Sequence, residues 1–280
     1  MKKIAILTDS ACDLPDSIIE KYNIKLLPLR IIYHDREYRD RIEIKPQEVY
    51  DNIEKEVPKT SLPVPEDILS AFDSLADEGY TDAVVITISS NLSGTFNLIK
   101  MLAKDYERLN IKVYDSKTLG IFLGFIVKEA AAIANTQKSM EDVIDRAKEI
   151  RDKLKGCYVL KTLTYLRKGG RIGKVEGTVG ELFNIKPIIG INDEGVYFTI
   201  AKVRGRRKSI SKIKSMIMEE FKDKKYNIAI IHGGAEEEAK QLYNSIKNIG
   251  NIIEGHISQI SPALGVHTGP GLIGYAAYEV

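Results

Sequence analysis

The hydroxyl groups best placed to do chemistry sit in one stretch, Ser89, Ser90, Asn91, Leu92, Ser93, Gly94 and Thr95. Residues 82–88 before it are a β-branched apolar run, the pattern of a strand buried on both faces of a parallel sheet. From Phe96 onward apolar residues recur at helical spacing, which puts Ser93, Gly94 and Thr95 at a helix start. Such a turn offers free backbone N–H groups beside the positive end of the helix dipole, and Gly94 admits an anion close to the backbone. A phosphate or a carboxylate suits that position. The same residues also suit an ordinary Ser or Thr helix cap, and this stretch alone leaves both readings open.

Other polar groups fall at similar junctions. Asp9 and Ser10 follow the apolar residues 3–7 and sit at the carboxyl end of an expected first strand, where open α/β sheets place functional groups. Asp9 and Asp13 also suit hydrogen bonding of the turn and capping of the next helix, the reading we favour for Asp13. Thr60 and Ser61 precede Pro63 and Pro65, two prolines that hold a stiff irregular loop. They either present hydroxyls to a ligand or are simply solvated. His267 stands in a glycine-rich tail, where an imidazole can donate to an anion or change charge near neutral pH.

Several familiar chemistries are absent. Residues 269–274 match the glycine spacing of a dinucleotide fingerprint, but only six residues follow Gly274, leaving no helix and no ribose-binding acid. Near Gly173 and Lys174, Lys168 and Val175 occupy the positions where a phosphate loop needs glycine and Ser or Thr. His34, His232, His256 and His267 have no metal-ligand spacing, so no metal and no cofactor are expected. Ser93 lacks the amino-side glycine of a nucleophile elbow. Cys12 and Cys157 form neither a zinc motif nor a disulfide framework, which suits a reducing cytoplasm.

The 280 residues, 44% hydrophobic and 29% charged, describe a globular chain long enough for two domains. With 41 basic and 39 acidic residues, the balance of +2 argues against nucleic acid as a partner. The N-terminal apolar run breaks at Thr8 and Asp9, too short for a signal peptide, and no stretch approaches the roughly 18 apolar residues of a membrane span. The segment from Lys202 to Lys208 carries Arg204, Arg206 and Arg207, and is either a solvated face or a dock for an acidic protein or an anionic lipid surface.

The elements that must position these groups alternate strand and helix in the first half, indicating a parallel sheet covered by helices. Strands are expected at residues 3–7, 24–33, 82–88 and 111–116, and helices at 16–22, 46–57, 65–78, 96–102, 119–135 and 139–155. From Gly156 the rhythm changes. A strand at 157–161, a short helix at 162–167, a glycine-rich loop at 169–173 and a hairpin of 185–191 with 195–204 come first. A helix at 207–221, a strand at 227–231, a helix at 235–247 and a strand at 252–260 follow. The fold class is therefore α/β in two domains. Residues 1–155 form a parallel sheet flanked by helices, and 156–280 an α/β domain with a mixed or antiparallel sheet.

Five stretches taken together, TDSACDLP (residues 8–15), KTSLPVP (59–65), SSNLSGT (89–95), YLRKGGRI (165–172) and GVHTGPG (265–271), resemble the DegV family in order and over essentially the whole chain. Its members are bacterial fatty-acid-binding proteins, the best understood being the FakB carrier subunits of fatty acid kinase. The resemblance implies a long-chain fatty acid in a tunnel, its carboxylate held by Thr60 and Ser93 with backbone donors from Gly94 and Thr95. It further implies that Arg171 and His267 line the anionic end, Arg171 facing the phosphate that is added. The carrier would present the carboxylate to a separate kinase subunit in the cytoplasm, with transient contact to a membrane surface and no catalysis of its own. Leu62 and Val64 depart from the family's commoner polar residues at those positions. The residues alone also allow an acyl or phosphoryl hydrolase using Ser93 and His267, or a regulatory module for a non-lipid anion.

Overall fold

The computed structural model describes residues 3–136, 138–178 and 184–280. In chain order the first half holds β1 (Ile4–Asp9), α1 (Asp16–Lys21), β2 (Lys25–Leu27), β3 (Arg30–Ile32), β4 (Glu37–Arg39), α2 (Pro46–Asn52) and β5 (Lys59–Ser61). It continues with α3 (Pro65–Asp77), β6 (Asp82–Thr87), α4 (Thr95–Lys104), β7 (Asn110–Asp115), α5 (Gly120–Ala134) and α6 (Met140–Lys153). The remainder is β8 (Lys155–Val159), α7 (Thr164–Lys168), β9 (Ile185–Ile191), β10 (Tyr197–Arg204), α8 (Arg206–Phe221), β11 (Lys225–Gly233), α9 (Glu236–Ile246), β12 (Asn251–Gln259), α10 (Pro262–Thr268) and β13 (Leu272–Glu279).

Strands of the first half make a four-stranded parallel sheet in the order β2-β1-β6-β7. Those of the second make a six-stranded mixed sheet, β10-β9-β8-β13-β11-β12, in which only β11 and β12 run parallel. The expected parallel sheet and the expected mixed sheet are thus both present. Alternation along each strand sends successive side chains to opposite faces, and the core divides accordingly. Ala5, Leu7, Ala83 and Val85 pack under α3 and α4 with Phe72, Leu75 and Ile99. Cys157, Val159, Ile228, Ile230 and Tyr275 pack under α8 and α9 with Ile213, Ile217 and Leu242. The inward faces, including Ile4, Ile6, Val84 and Ile86 from one sheet and Tyr158, Ile189, Ala229 and Ile231 from the other, share a single central cluster with α5. Eleven of the 15 residues of α5 are buried, as a helix that is apolar all round must be when sheets cover it on both sides. Its neighbour α6 keeps one buried stripe, Met140, Val143, Ala147 and Ile150, and begins with a Ser139–Asp142 capping box.

Four features differ from the sequence-based expectation. The strand expected over 24–33 is split at Pro28 into β2, in the parallel sheet, and β3, which joins β4 and β5 in a small antiparallel sheet. Thr60 and its neighbours, expected as irregular chain, form β5 because β3 is there to pair with them. Asp13 caps no helix: α1 follows Pro15 with no side-chain cap, and the Asp13 carboxyl group instead accepts the Ser261 N–H at 2.8 Å through Oδ1. The tail beyond 260 is regular, with α10 followed by β13, a strand flanked on both sides in the mixed sheet. Among the described residues no helix is long and apolar enough to cross a membrane, and no group of His, Cys, Asp or Glu could hold a metal ion.

Candidate carboxylate-binding cavity

Between the sheets lies a mostly apolar cavity with about 850 Å³ of atom-free space, counted with its open mouth. Leu29, Ile88, Leu119, Ile121, Ile231 and Leu264 supply apolar wall, while Thr60, Ser93, Arg171 and His267 all line it. Four distant segments therefore bring their candidate residues to one space.

Each is held by its own element. Thr60 lies in β5 opposite Ile31, and its Oγ1 is 2.7 Å from Nε2 of His267. His267 lies in the last turn of α10, whose start is tied down by Asp13 accepting the Ser261 N–H and by Asp40 accepting the Ala263 N–H at 2.9 Å. The other face of the imidazole packs on Gly169, where a Cβ would come within 2.1 Å of Nδ1, so only glycine fits beside it. Burial pushes the His267 pKa down to about 4, and the nearby Arg171 charge adds to this, so the ring is neutral at pH 7.

Ser93 follows β6 in a turn built from the chain's own polar groups. Asp9, at the end of β1, accepts the Ile88 N–H at 2.7 Å and the Ala11 N–H at 3.1 Å. Burial pushes its carboxyl up to about 7 despite those bonds. Ser93 N–H donates to the Ser89 carbonyl at 3.0 Å, and Ser93 Oγ is 2.8 Å from Thr95 Oγ1. Gly94 is the N-cap of α4 with φ −72°, and a Cβ there would meet only Leu62 at an ordinary contact distance of 3.4 Å, so neither backbone conformation nor packing demands glycine at this position. Gly94 lines the surface depression at the cavity mouth, and Thr95 is buried behind Ser93.

Arg171 follows the Gly169–Gly170 turn. Its guanidinium donates to the Gly169 carbonyl at 2.6 Å and reaches the Leu92 carbonyl at 3.4 Å. It is exposed and has no carboxylate partner among the described residues, which leaves its charge for an anion. The mouth thus offers two hydroxyls, a neutral imidazole and one cation, enough hydrogen bonding for a carboxylate leaving water.

Arg204, Arg206 and Arg207 lie away from this cavity. Arg206 bonds Glu238 at 2.8 Å through Nε and 2.5 Å through Nη2, and donates to the Gly271 carbonyl at 2.7 Å. Arg204 and Arg207 are exposed and have no carboxylate partner among the described residues. Sequence reasoning missed Asp13, Tyr158 and Tyr197 as cavity residues. Asp13 was in sight within the first motif, whereas the tyrosines are marked only by their position on strands facing the central core.

The family model described as "Uncharacterised protein, DegV family" matches residues 3–280. A DegV domain-containing protein of Clostridium perfringens is 48% identical over 274 residues, covering 98% of each chain. Among solved structures, DegV of Bacillus subtilis, described as a fatty acid binding protein, superposes with a TM-score of 0.91 at 27% identity over all of both chains. A stearic acid-binding protein of Eubacterium ventriosum gives 0.84 at 26% identity, covering 100% of this chain and 98% of that one. Since the match runs through both sheets and every segment that reaches the cavity, this chain belongs to the DegV family.

Proposed function

We propose that this protein binds a long-chain fatty acid in the cavity and presents its carboxylate to a separate kinase subunit for conversion to an acyl phosphate. The observation that carries this reading is the convergence of Thr60, Ser93, Arg171 and His267 on a cavity otherwise walled mainly by aliphatic residues. Burying about 15 methylenes at ~0.8 kcal/mol each gives on the order of 12 kcal/mol relative to water. A bilayer offers the tail nearly as much, so selectivity rests on the mouth and on the shape of the cavity. In this reading Ser93, Thr60 and His267 hold the carboxylate, Gly94 adds a backbone donor, Thr95 orients Ser93 by donating its N–H to Ser93 Oγ at 3.3 Å, and Arg171 faces the incoming phosphate. Residues 1–155 act as the domain carrying the carboxylate-binding loops, and 156–280 as the domain that completes the cavity. The chain itself carries no catalytic nucleophile and works in the cytoplasm. Exposed Arg204 and Arg207 form the docking surface for the kinase; reversing both charges slows phosphoryl transfer without emptying the cavity, and unchanged transfer would remove that assignment.

Native mass spectrometry of the purified protein, followed by denaturing extraction, tests the central claim. The expected result is close to one fatty acid per chain, with Ser93→Ala folded but retaining less. A protein that purifies empty and takes up no added fatty acid overturns it, as does a Ser93→Ala, Thr60→Ala pair that retains as much lipid as the parent.

A further inference from the structure

Among the described residues, the cavity shares lining side chains with two surface depressions. At the first, Leu92, Ser93 and Arg171 line both the cavity and the depression shared with Gly94, Gly170 and Gly173. At the second, a single side chain, Phe122, lines both the cavity and a separate surface groove. The depression and the groove have no lining residue in common. The mouth that holds the polar groups and the place where Phe122 stands are therefore different boundaries of one space.

Phe122 sits in the first turn of α5 and is 8% exposed. Gly156 in β8 is what admits its ring: a Cβ there would lie 2.5 Å from Cε1 and Cζ. Beyond the ring, the groove combines apolar side chains from Leu154, Ile191, Phe198 and Ile200 with the charged Arg151, Asp152, Lys155 and Asp193. Ile200 is 39% exposed, a large aliphatic side chain facing water. A Cβ on Gly190 would lie 2.6 Å from Ile200 and 3.0 Å from the Phe198 ring, so both side chains lie flat over the β9 backbone and leave a continuous apolar floor. One aromatic ring separates an apolar cavity from the apolar strip of a groove whose rim is charged.

We propose that the Phe122 ring is the end-stop of the cavity and the gate to this groove, so that it sets the longest straight-chain fatty acid the protein buries completely. The inference rests on the fatty-acid reading above and assigns the residue that decides tail length. Each methylene that finds apolar surface is worth roughly fourfold in affinity, whereas one that meets the stop gains nothing until the ring yields. With the ring removed, the terminal methylenes run on between Phe198 and Ile200.

The test is competition binding of saturated fatty acids from lauric to lignoceric acid to the full-length protein. Affinity of the parent rises with length to an optimum and then stops rising. Phe122→Ala moves the optimum to longer acids and raises affinity for the longest by tenfold or more. Phe122→Leu, which keeps a buried apolar side chain, gives a smaller shift in the same direction. Adding Ile200→Asp on the exposed groove wall to either variant cancels the gain. An optimum that stays in place in both variants, or a gain that survives Ile200→Asp, overturns the gate while leaving fatty-acid binding intact. If the parent binds no acid of any length, the underlying reading fails and the gate with it.

Discussion

Thr60 Oγ1 and His267 Nε2 stand 2.7 Å apart although 207 residues separate them in the chain. The pair leaves a proton choice open at the cavity wall. With the ring neutral, a proton on Nε2 is donated to Oγ1 and leaves the threonine O–H free for an anion; with the proton on Nδ1, the hydroxyl is spent on the ring. Under the proposed function, an arriving carboxylate would select the first arrangement. Thr60→Val removes the hydroxyl at nearly constant shape and is expected to weaken fatty-acid binding by roughly 10- to 150-fold, the equivalent of a hydrogen bond to a charged group at about 1.5–3 kcal/mol. It also strands Nε2, so the melting temperature falls modestly. Thr60→Ser restores both quantities. Calorimetric binding and thermal melts of the three proteins check this; equal affinity in Thr60→Val would remove Thr60 from the site.

Arg171 acts on the same ring from a distance. Burial is the larger cause of the depressed His267 pKa and the Arg171 charge the smaller. Arg171→Gln is therefore expected to raise the His267 pKa only part of the way from about 4 towards 6.5. Because the unfolded chain takes this proton first, His267 removes stability as pH falls from about 6.5 through 4, and in the variant, whose folded pKa lies closer to 6.5, the loss ends at a higher pH and is smaller in total. An NMR titration of His267 in both proteins reads the shift, and an unmoved titration would show that the guanidinium does not reach the ring. Fatty-acid affinity falls in the same variant.

How much of this is legible in the sequence depends on element length. The strands β1, β6 and β7 and the helices α5 and α6 are long enough to be read from apolar runs or, in α6, from a helical stripe, and the turn carrying Ser93 follows from them. Thr60 is different. Its strand has three residues, too few for any period, and exists because β3 offers an edge. α10 is a seven-residue helix, also short, and β13 contains glycine and alanines whose strand conformation comes from the strands on either side. The Thr60–His267 contact joins two such elements, and no spacing rule reaches across the chain. Only the ordered motifs pointed to it.

Asp13 gives a pH dependence of the opposite sign to that of His267. Burial pushes its carboxyl up to about 8, more than the Ser261 N–H bond and the Arg41 charge pull it down. The folded protein keeps this proton to about pH 8, whereas the unfolded chain releases it near 3.8, so Asp13 costs stability progressively as pH rises through that window. Asn tolerates the φ of 51° found here and still accepts from Ser261. Asp13→Asn is thus expected to gain stability relative to the parent between pH about 5 and about 9, measured by urea denaturation at each. A stability difference independent of pH would mean that the carboxyl titrates normally.

The position of Ser93 depends on a residue that touches no ligand group. Ser89 Oγ donates to the Gly195 carbonyl at 2.9 Å and Asn91 Nδ2 to the Glu194 carbonyl at 2.6 Å, so the β9–β10 hairpin turn holds the turn that ends in Ser93. Gly195 has φ 78°, and a Cβ there would stand 2.1 Å from Ser89 Oγ. Gly195→Ala therefore carries the left-handed backbone cost of about 1–2 kcal/mol and a clash that pushes Ser89 aside. Since Ser93 N–H is bonded to the Ser89 carbonyl, the displacement reaches the carboxylate site, and fatty-acid affinity falls along with stability. Ser89→Ala removes the clashing oxygen, so the double variant is expected to bind better than the sum of the single losses allows. A double-mutant cycle on binding measures this; strict additivity would mean that the hairpin and Ser93 are not mechanically linked.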